Sequence, residues 1–587
     1  MPVATFYLRL IYFMKNYYYV LAAALPIGNL IMSMPAYAAN PPLVTPSDRA
    51  ENYQRQQELQ KTIQRESDNA RTKALESQKP EKEMPIELKG GASYLINEID
   101  VDVGAGMPVV NIDDILARYN GRQLNVADIY ALVQDVTNRY IERGYTTTTV
   151  SLKPTNLNAG KLQLVVLWGR VEGWLIDGKP LTTWKEHWLK AVSLPDVIGK
   201  PLNIYAVDRS IEVLNNGAKS AKVEVAPGSK LGYSILNIVQ VAGSPFFNAG
   251  INNQSVESTA NGRFQGTLGA GFGDVLLPND RISVSGSSRY YNEAFGNDEY
   301  SANLSYSIPV GYSDLALRYS KTTYHKEIVG DFGGYGSNGD SATYGMKYTY
   351  NVWRNKTDKL SLYSDLEAKE SNNYIEDTLL EVNSKPFRSL TLGGVFVAGL
   401  GGGFLYSDVS LSKGLSWFAG EGAAVDSNGN AKNFKRAKAD VSWTYPFSVR
   451  EFPLEYAVRT SAQYSRDSMV SSYKMGVGDE FTVRGYKGTP SFGDRGILLS
   501  NTLSHTYSAD TRIGPASLRV SGGLDWGRVQ DVDYSGGYTQ TLTGGSLGLN
   551  AAVKKVSLGL GYAIPFKKIK GVDTPSEAIY LSLGVGF

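Results

Sequence analysis

The sequence predicts a membrane all-β fold: an antiparallel transmembrane β-barrel of about sixteen strands, behind two α+β domains of β-α-α-β-β order and an N-terminal helix. Three observations lead there. The chain opens with an export signal. Its middle third repeats a helix-opening motif. From 243 to 587 it alternates apolar and small or polar residues, with turn residues about every ten positions.

Composition bounds the function. At 587 residues the chain exceeds one ordinary domain. It has no cysteine, which removes disulfides, thiolate nucleophiles and cysteine metal sites. A net charge of +2 gives no electrostatic reason to bind nucleic acid. Its 61 glycines and 38 tyrosines suit a large soluble enzyme or a barrel, because only alternate residues of a barrel strand face lipid.

Taken in order, Arg9 and Lys15 precede the apolar run YYYVLAAALPIGNLIMSM and the small-residue site PAYAAN. This is a secretory signal, residues 1–38, cut after Ala38 with Ala36 as the other small residue. Pro26, Gly28 and Asn29 interrupt the run and disfavour a spanning helix. No later stretch reaches the ~20 apolar residues of a membrane helix, so entry into a membrane requires a barrel.

Residues 39–65 are polar and helical, with Thr45 to cap, Pro46 at the first helical position and Asp48 for a capping box. Tyr53, Leu59 and Ile63 are its few large apolar residues, so it must be solvated or sit in a polar cavity. Residues 66–92 form a charged linker ending at Gly90-Gly91.

Two modules follow, 93–170 and 171–242. In the first, Val126, Ile129, Tyr130, Val133, Val136 and Tyr140 make one face of a helix that Gly144 stops. GRQLNV (121–126) is echoed by GKPLNI (199–204). Each opens a helix that precedes two strands, AKVEVAP and YSILNIVQV in the second copy. In the last barrel strand Ile579, Leu581, Leu583, Val585 and Phe587 face one way and Tyr580, Ser582, Gly584 and Gly586 the other.

One stretch, GDEFTVRGYKGTPSFGDRG (478–496), is neither strand nor helix. Its glycines allow tight backbone approach. Its Arg484 offers a planar, permanent charge suited to a carboxylate.

This order of signal, polar helix, linker, two modules, barrel and terminal Phe587 resembles the transporters of two-partner secretion. That is the haemolysin-activator and filamentous-haemagglutinin transporter family (TpsB), within the outer-membrane insertase superfamily. AKVEVAPGSKLGYSILNI is similar to the end of the family's second polypeptide-transport-associated (POTRA) domain. Val483, Arg484, Gly485 and Tyr486 match its best-known motif, in a loop of about 466–495 that folds back into the barrel. Asp525 and Gly527 in GGLDWGRV match the strand motif that anchors this loop. An Arg484–Asp525 ion pair is therefore expected, with Arg495 as the rival partner.

The resemblance implies export of a large exoprotein bearing an N-terminal secretion domain, whether adhesin, haemolysin or contact-dependent toxin carrier. It also implies outer-membrane lipids, periplasmic chaperones and the barrel-assembly machinery as partners, and no cofactor. The polar helix fits a pore plug; composition alone also allows a charged disordered tail. Two other readings use the same elements. An insertase of the superfamily carries three or more periplasmic modules, where this chain has room for two. A passive porin carries none.

Weaker motifs point nowhere else. GGSLG places Ser546 in G-x-S-x-G, but in strand sequence with no later histidine. His187, His325 and His505 lack metal-ligand spacing. GLGGGF (399–404) reads as glycine on strands, and the tyrosines of SSRYYNEAF as a membrane-interface girdle. No catalytic or metal residue is assigned.

Overall fold

The computed structural model describes residues 44, 46–76, 92–193, 197–215, 220–241, 245–253, 264–290, 298–330, 333–355, 357–380, 384, 386–415, 433–512, 514–532, 538–569 and 574–587. The expected cleavage residues Ala36 and Ala38, the cap Thr45, most of the linker and Tyr291 lie outside these.

The polar helix α1 spans Pro46–Glu76, so it begins where Pro46 predicts and runs past the expected end at 65. The added sequence ESDNARTKALE contains good helix formers and no glycine or proline.

The first module holds α2 (Asp113–Tyr119) and α3 (Val126–Glu142) against strands Glu98–Asp102, Lys161–Leu167 and Thr149–Leu152. Lys161–Leu167 is central, parallel to the first strand and antiparallel to the last. The buried face of α3 is Ile129, Leu132, Val136 and Tyr140. Val126 and Tyr130, expected on that face, are 53% and 47% exposed. The stripe that meets the sheet runs through Leu132 instead, about 1.5–3 kcal/mol for such a side chain.

The second module repeats the plan. Arg170–Ile176 lies parallel to the central Tyr233–Val241, and Ser220–Pro227 pairs on its other side. Helices α4 (Trp184–Ser193) and α5 (Ile204–Leu214) cover the sheet. The repeated motif has a physical role in each copy. Leu124 and Leu202 are buried, and Asn125 and Asn203 cap the helices that follow. Asn125 accepts from Asp128 N at 2.9 Å while the Asp128 carboxylate accepts from Asn125 N, a complete capping box. Asn203 also donates to Arg143 O across the junction between modules. A Cβ on Gly144 would fall 2.7 Å from Asn203 and Tyr205 there.

Among the described residues sixteen antiparallel strands form a closed barrel, from Phe246–Asn252 to Ala578–Gly586; a short piece, Thr378–Leu379, extends one hairpin. The ends meet through Asn248–Asn252 against Ser582–Gly586, and Phe587 N donates to Phe247 O at 2.8 Å. Ile579, Leu581, Leu583 and Phe587 are exposed on the outside, while Tyr580 is buried inside. Outward Tyr300, Tyr344, Tyr348 and Tyr507 are exposed too. No helix of the described residues is long and apolar enough to cross a membrane.

GLGGGF proves to be a hairpin turn. Gly401 and Gly402 both have positive φ, +59° and +84°, which a two-residue hairpin requires and strand glycine does not explain. Ser546 sits within strand Tyr538–Val553 with neighbours on both sides, away from any strand-to-helix elbow.

The second module docks on turns at one end of the barrel. Trp188 Nε1 donates to Pro278 O at 3.1 Å. Arg209 reaches Gly311 O at 3.1 Å and Asp314 at 2.9 Å, and Glu212 pairs with Arg354. These contacts hold the second module at the barrel mouth.

Candidate functional site, the in-folded loop and the helix beside it

The segment from 466 to 494 leaves strand Phe452–Ser465 and turns into the lumen before Arg495–Thr511 resumes the wall. It forms a short hairpin, Met475–Val477 against Ser491–Gly493. At its base, Lys474 Nζ lies buried between Asp494, at 3.2 Å, and Asp531. The Asp494 carboxylate also accepts from Met469 N and Val532 N at 2.7 and 2.8 Å. Near the tip, the Asp479 carboxylate accepts from Phe481 N, and Thr482 Oγ1 accepts from Gly478 N and Asp479 N. Such a side-chain knot replaces the ladder bonds a loop lacks.

The tip is held by shape as well as charge. Val483 and Tyr486 are fully buried against Leu498, Val529 and Leu542 of the wall. The Tyr486 hydroxyl donates to Lys567 O at 2.7 Å and accepts from Thr543 N at 3.2 Å. Arg484 and Asp525 form a fork. Nε is 2.6 Å from Oδ2, Nη2 is 2.7 Å from Oδ1, and the Arg484 backbone N–H adds a third bond at 3.1 Å. Ser500 Oγ donates to Asp525 as well, at 2.6 Å. The Asp525 side chain is 0% exposed and that of Arg484 17%.

Three glycines of the wall make room. A Cβ on Gly523 would lie 2.2 Å from Arg484 Nη2, and one on Gly544 would lie 2.0 Å from Arg484 O. One on Gly527 would meet Val483 at 2.8 Å. Gly523, Asp525 and Gly527 are alternate residues of strand Gly514–Asp531, so they face the lumen together. Gly485 has φ +108° and presses its α-carbon against Ile564 and Pro565, so no larger residue fits there. The rival Arg495 lies elsewhere: its Nε donates to Ser465 O at 2.6 Å and its guanidinium stacks over Tyr464.

Helix α1 lies in the lumen against this loop. Lys369 of the wall, itself buried, sits 2.5 Å from both Asp48 and Glu51. Asp48, expected to complete a cap, is drawn instead to Lys369 and Ser471. Arg55 pairs with Glu367 at 2.9 Å and lies over the ring of Tyr473, with Arg436 of the wall also over that ring. Gln56 accepts from Arg459, which also donates to Phe481 O. Farther along, Glu66 pairs with Lys359, and Leu59 and Ile63 pack on Val395, Val397, Phe404 and Tyr406. Tyr53 donates to Glu480 and lies 5.1 Å from the Phe481 ring. The helix is thus bonded to both loop and wall.

Two of the carboxyls on these elements are shifted in opposite directions. Burial, reinforced by the neighbouring Asp479 carboxylate, pushes Glu480 up to about 8. Burial also raises Glu51, but the Arg55 and Lys369 charges outweigh it and hold it down to about 2.

The family resemblance read from the sequence expects Arg484, Asp525 and Gly527 together here, with Val483, Gly485 and Tyr486, and the structure brings all six to this site. That reading misses Gly523, Gly544, Glu480, Lys369 and Lys474. A signal for the first was present, since G-x-D-x-G puts small, acidic and small residues on one face. For Lys369 it was the row Asp365, Glu367, Lys369 at strand spacing.

Comparisons with known proteins agree with this architecture. The family of haemolysin secretion/activation proteins ShlB/FhaC/HecB matches residues 232–551, and the POTRA domain of ShlB type matches 94–169. The outer membrane transporter CdiB of Dickeya dadantii is 26% identical over 93% of this chain and 95% of its own length. The hemolysin transporter protein HpmB of Proteus mirabilis is 25% identical over 74% of this chain and 76% of its own. Among solved structures, CdiB from Escherichia coli superposes with a TM-score of 0.82 at 24% identity, covering 93% of this chain and all of the other.

Proposed function

The chain belongs to the ShlB/FhaC/HecB family of haemolysin secretion/activation proteins, which are protein transporters of the outer membrane rather than enzymes, and on that premise we propose how it works. The two periplasmic modules capture the N-terminal secretion domain of one large exoprotein as it emerges unfolded. The barrel passes that exoprotein to the cell surface. Helix α1 plugs the lumen at rest, and the loop carrying Arg484 shapes the route. The exported chain is a haemolysin, an adhesin or a contact-dependent toxin carrier. Chaperones and the barrel-assembly machinery bring the transporter to the membrane, where its apolar outer rows meet lipid.

The observation that carries this reading is the way the lumen is filled. Helix α1 is held by polar side chains that water can replace once it leaves. The loop beside it has an apolar, close-packed tip that water cannot replace. One element is built to leave and the other to stay. The modules support capture, since Thr149–Leu152 and Ser220–Pro227 each pair on one side within their sheets. Such edges can add an extended segment through backbone hydrogen bonds, with little demand on its sequence.

Secretion is the test. Cells carrying the chain and the large exoprotein of the neighbouring reading frame release that exoprotein. A chain lacking 92–241 leaves it in the periplasm. Release by a shortened chain that still assembles its barrel would take the modules off the route.

A further inference from the structure

The outer side of the barrel carries a charge pattern of its own. Six strands adjacent in the wall run from Phe387–Leu400 round to Gly514–Asp531. At or just past the end away from the second module, each has one cation: Arg388, Lys413, Lys435, Arg466, Arg495 and Arg528. Neighbouring residues fix their direction. Ser389 bonds Tyr473 of the loop, Ser412 bonds Arg436, Arg436 lies over the Tyr473 ring and Gly527 faces Val483, so these four point inward. Arg388, Lys413, Lys435 and Arg528, one residue from each, point outward. Arg495 stacks over the outward ring of Tyr464, and Arg466 is exposed.

The cations form one row. Lys413 and Lys435 are direct cross-strand partners. Arg436 pairs with Ser465, which brings Arg466 beside Lys435. Arg528 pairs with Ile497 and so lies diagonal to Arg495. Like charges directly opposite one another destabilise a sheet, so an anion seated between them is favoured. Among the described residues the carboxylates beside the row are Glu370, paired with Arg388 at 3.2 Å, and Asp467, which accepts from Lys435 N at 2.9 Å. Asp494, next to Arg495, is turned inward to Lys474. Toward the modules the same outward faces become apolar. Leu392 pairs with Leu411 and Leu499 with Trp526, and Leu411 and Leu524 are 65% and 62% exposed.

We propose that this row binds a lipid of the outer leaflet whose headgroup carries two phosphates, a bisphosphorylated glycolipid. Three features identify the occupant. The row lies at the end of the barrel opposite the periplasmic modules, so it meets the outer leaflet. Lys413 stands two residues beyond Leu411, and Arg528 two beyond Trp526, roughly 7 Å along the strand. That step sets a phosphate at headgroup depth while its acyl chains lie on the leucines. Finally, six strands at about 4.8 Å spacing span about 24 Å, wide enough for two separated phosphates. Arginine forks suit phosphate oxygens, and the lysines add point charges. The flanking strands would not serve. Tyr538–Val553 turns Thr539, Thr541 and Thr543 outward, and Lys359–Ile375 turns out the acidic Glu370. The row also includes both strands from which the in-folded loop departs, Phe452–Ser465 and Arg495–Thr511. A lipid held there would brace the wall that carries the loop. The site is separate from the export route and does not depend on it.

The test titrates the full-length protein in detergent micelles and reads bound lipid by native mass spectrometry. The probes are bisphosphorylated lipid A, monophosphorylated lipid A, phosphatidylglycerol and inorganic phosphate. The bisphosphorylated lipid should bind at least about tenfold tighter than either single-phosphate lipid, since each phosphate engages its own cations. Joint substitution of Lys413→Gln, Lys435→Gln and Arg466→Gln should weaken it by about a hundredfold. Lys321→Gln, an exposed cation on strand Ser313–Gly330 outside the row, should leave it unchanged. Should the triple variant fail to assemble, Lys435→Gln alone should weaken binding about fivefold. Equal affinity for the three lipids, or unchanged affinity in the row variants, overturns the site. Inorganic phosphate bound as tightly as the lipid would overturn it too, since the row would then hold an anion without its chains. Each of these results leaves the export reading standing.

Discussion

At the residue scale the site turns on two carboxylates with opposite surroundings. Asp525 is dry and satisfied by Arg484 and Ser500. Removing one partner of such a pair leaves a buried charge, a loss of about 3–5 kcal/mol in loop anchoring. We therefore expect Arg484→Ala and Asp525→Ala each to abolish secretion while the barrel still assembles. Arg484→Lys should fail nearly as badly, because an ammonium cannot reproduce the fork. A double-mutant cycle on secretion should show strong coupling between the two sites. Gly523→Ala, which drives a methyl into the guanidinium, should mimic Arg484→Ala, whereas Gly522→Ala on the outer side should be harmless.

Glu480 behaves differently. Its folded pKa is raised, so the folded state holds a proton that the unfolded chain releases near 4.5. Its contribution is full below that pH and is lost as pH rises through about 8. Glu51 is depressed, so its contribution is full above its ordinary pKa and falls away toward pH 2. Resting conductance in planar bilayers should accordingly rise as pH goes from 5 to 8.5, as the buried Glu480 takes on a charge beside Asp479. Glu480→Gln should flatten that rise.

At the element scale each segment's place follows from what it buries. The two modules were legible because their helices have a 3.6-residue stripe and their repeat carries a cap. Asn125→Ala and Asn203→Ala should each cost about 1 kcal/mol. Asn203 should cost more, since it also bridges the modules at Arg143. Faster hydrogen exchange of the first-turn amides of α3 and α5 in the full-length protein would show it. The barrel was legible from period two and the long loop from its breach of that period, while its in-folding came from the family resemblance. The exposure of Val126 and Tyr130 was not legible, because a helix with apolar residues on nearly two faces does not say which face the sheet takes. The length of α1 was not legible either, since its polar composition reads equally as linker. Its holdfast, Lys369, belongs to a wall strand more than three hundred positions away, and no local pattern encodes which strand a lumenal helix will meet. Lys369→Ala removes the buried cation between Asp48 and Glu51, and should raise resting conductance severalfold, as expected for a loss of about 3 kcal/mol in helix docking.

At the scale of the whole molecule, the parts divide the labour by how they are held. The second module is fixed to the barrel mouth through Arg209, Trp188 and Glu212. The loop is fixed to the wall by a buried ion pair and an apolar tip. Of the two elements inside the lumen, α1 is the one held mainly by exchangeable polar contacts, with a small apolar patch at Leu59 and Ile63. Export therefore requires this helix to leave while the rest stays. The most direct measurement joins Ile63→Cys to Val397→Cys, neighbours in that patch, with a short cleavable thiol bridge in the cysteine-free chain. Secretion of the exoprotein should stop when the bridge forms and return when dithiothreitol cuts it. Undiminished secretion with the bridge intact would contradict the account.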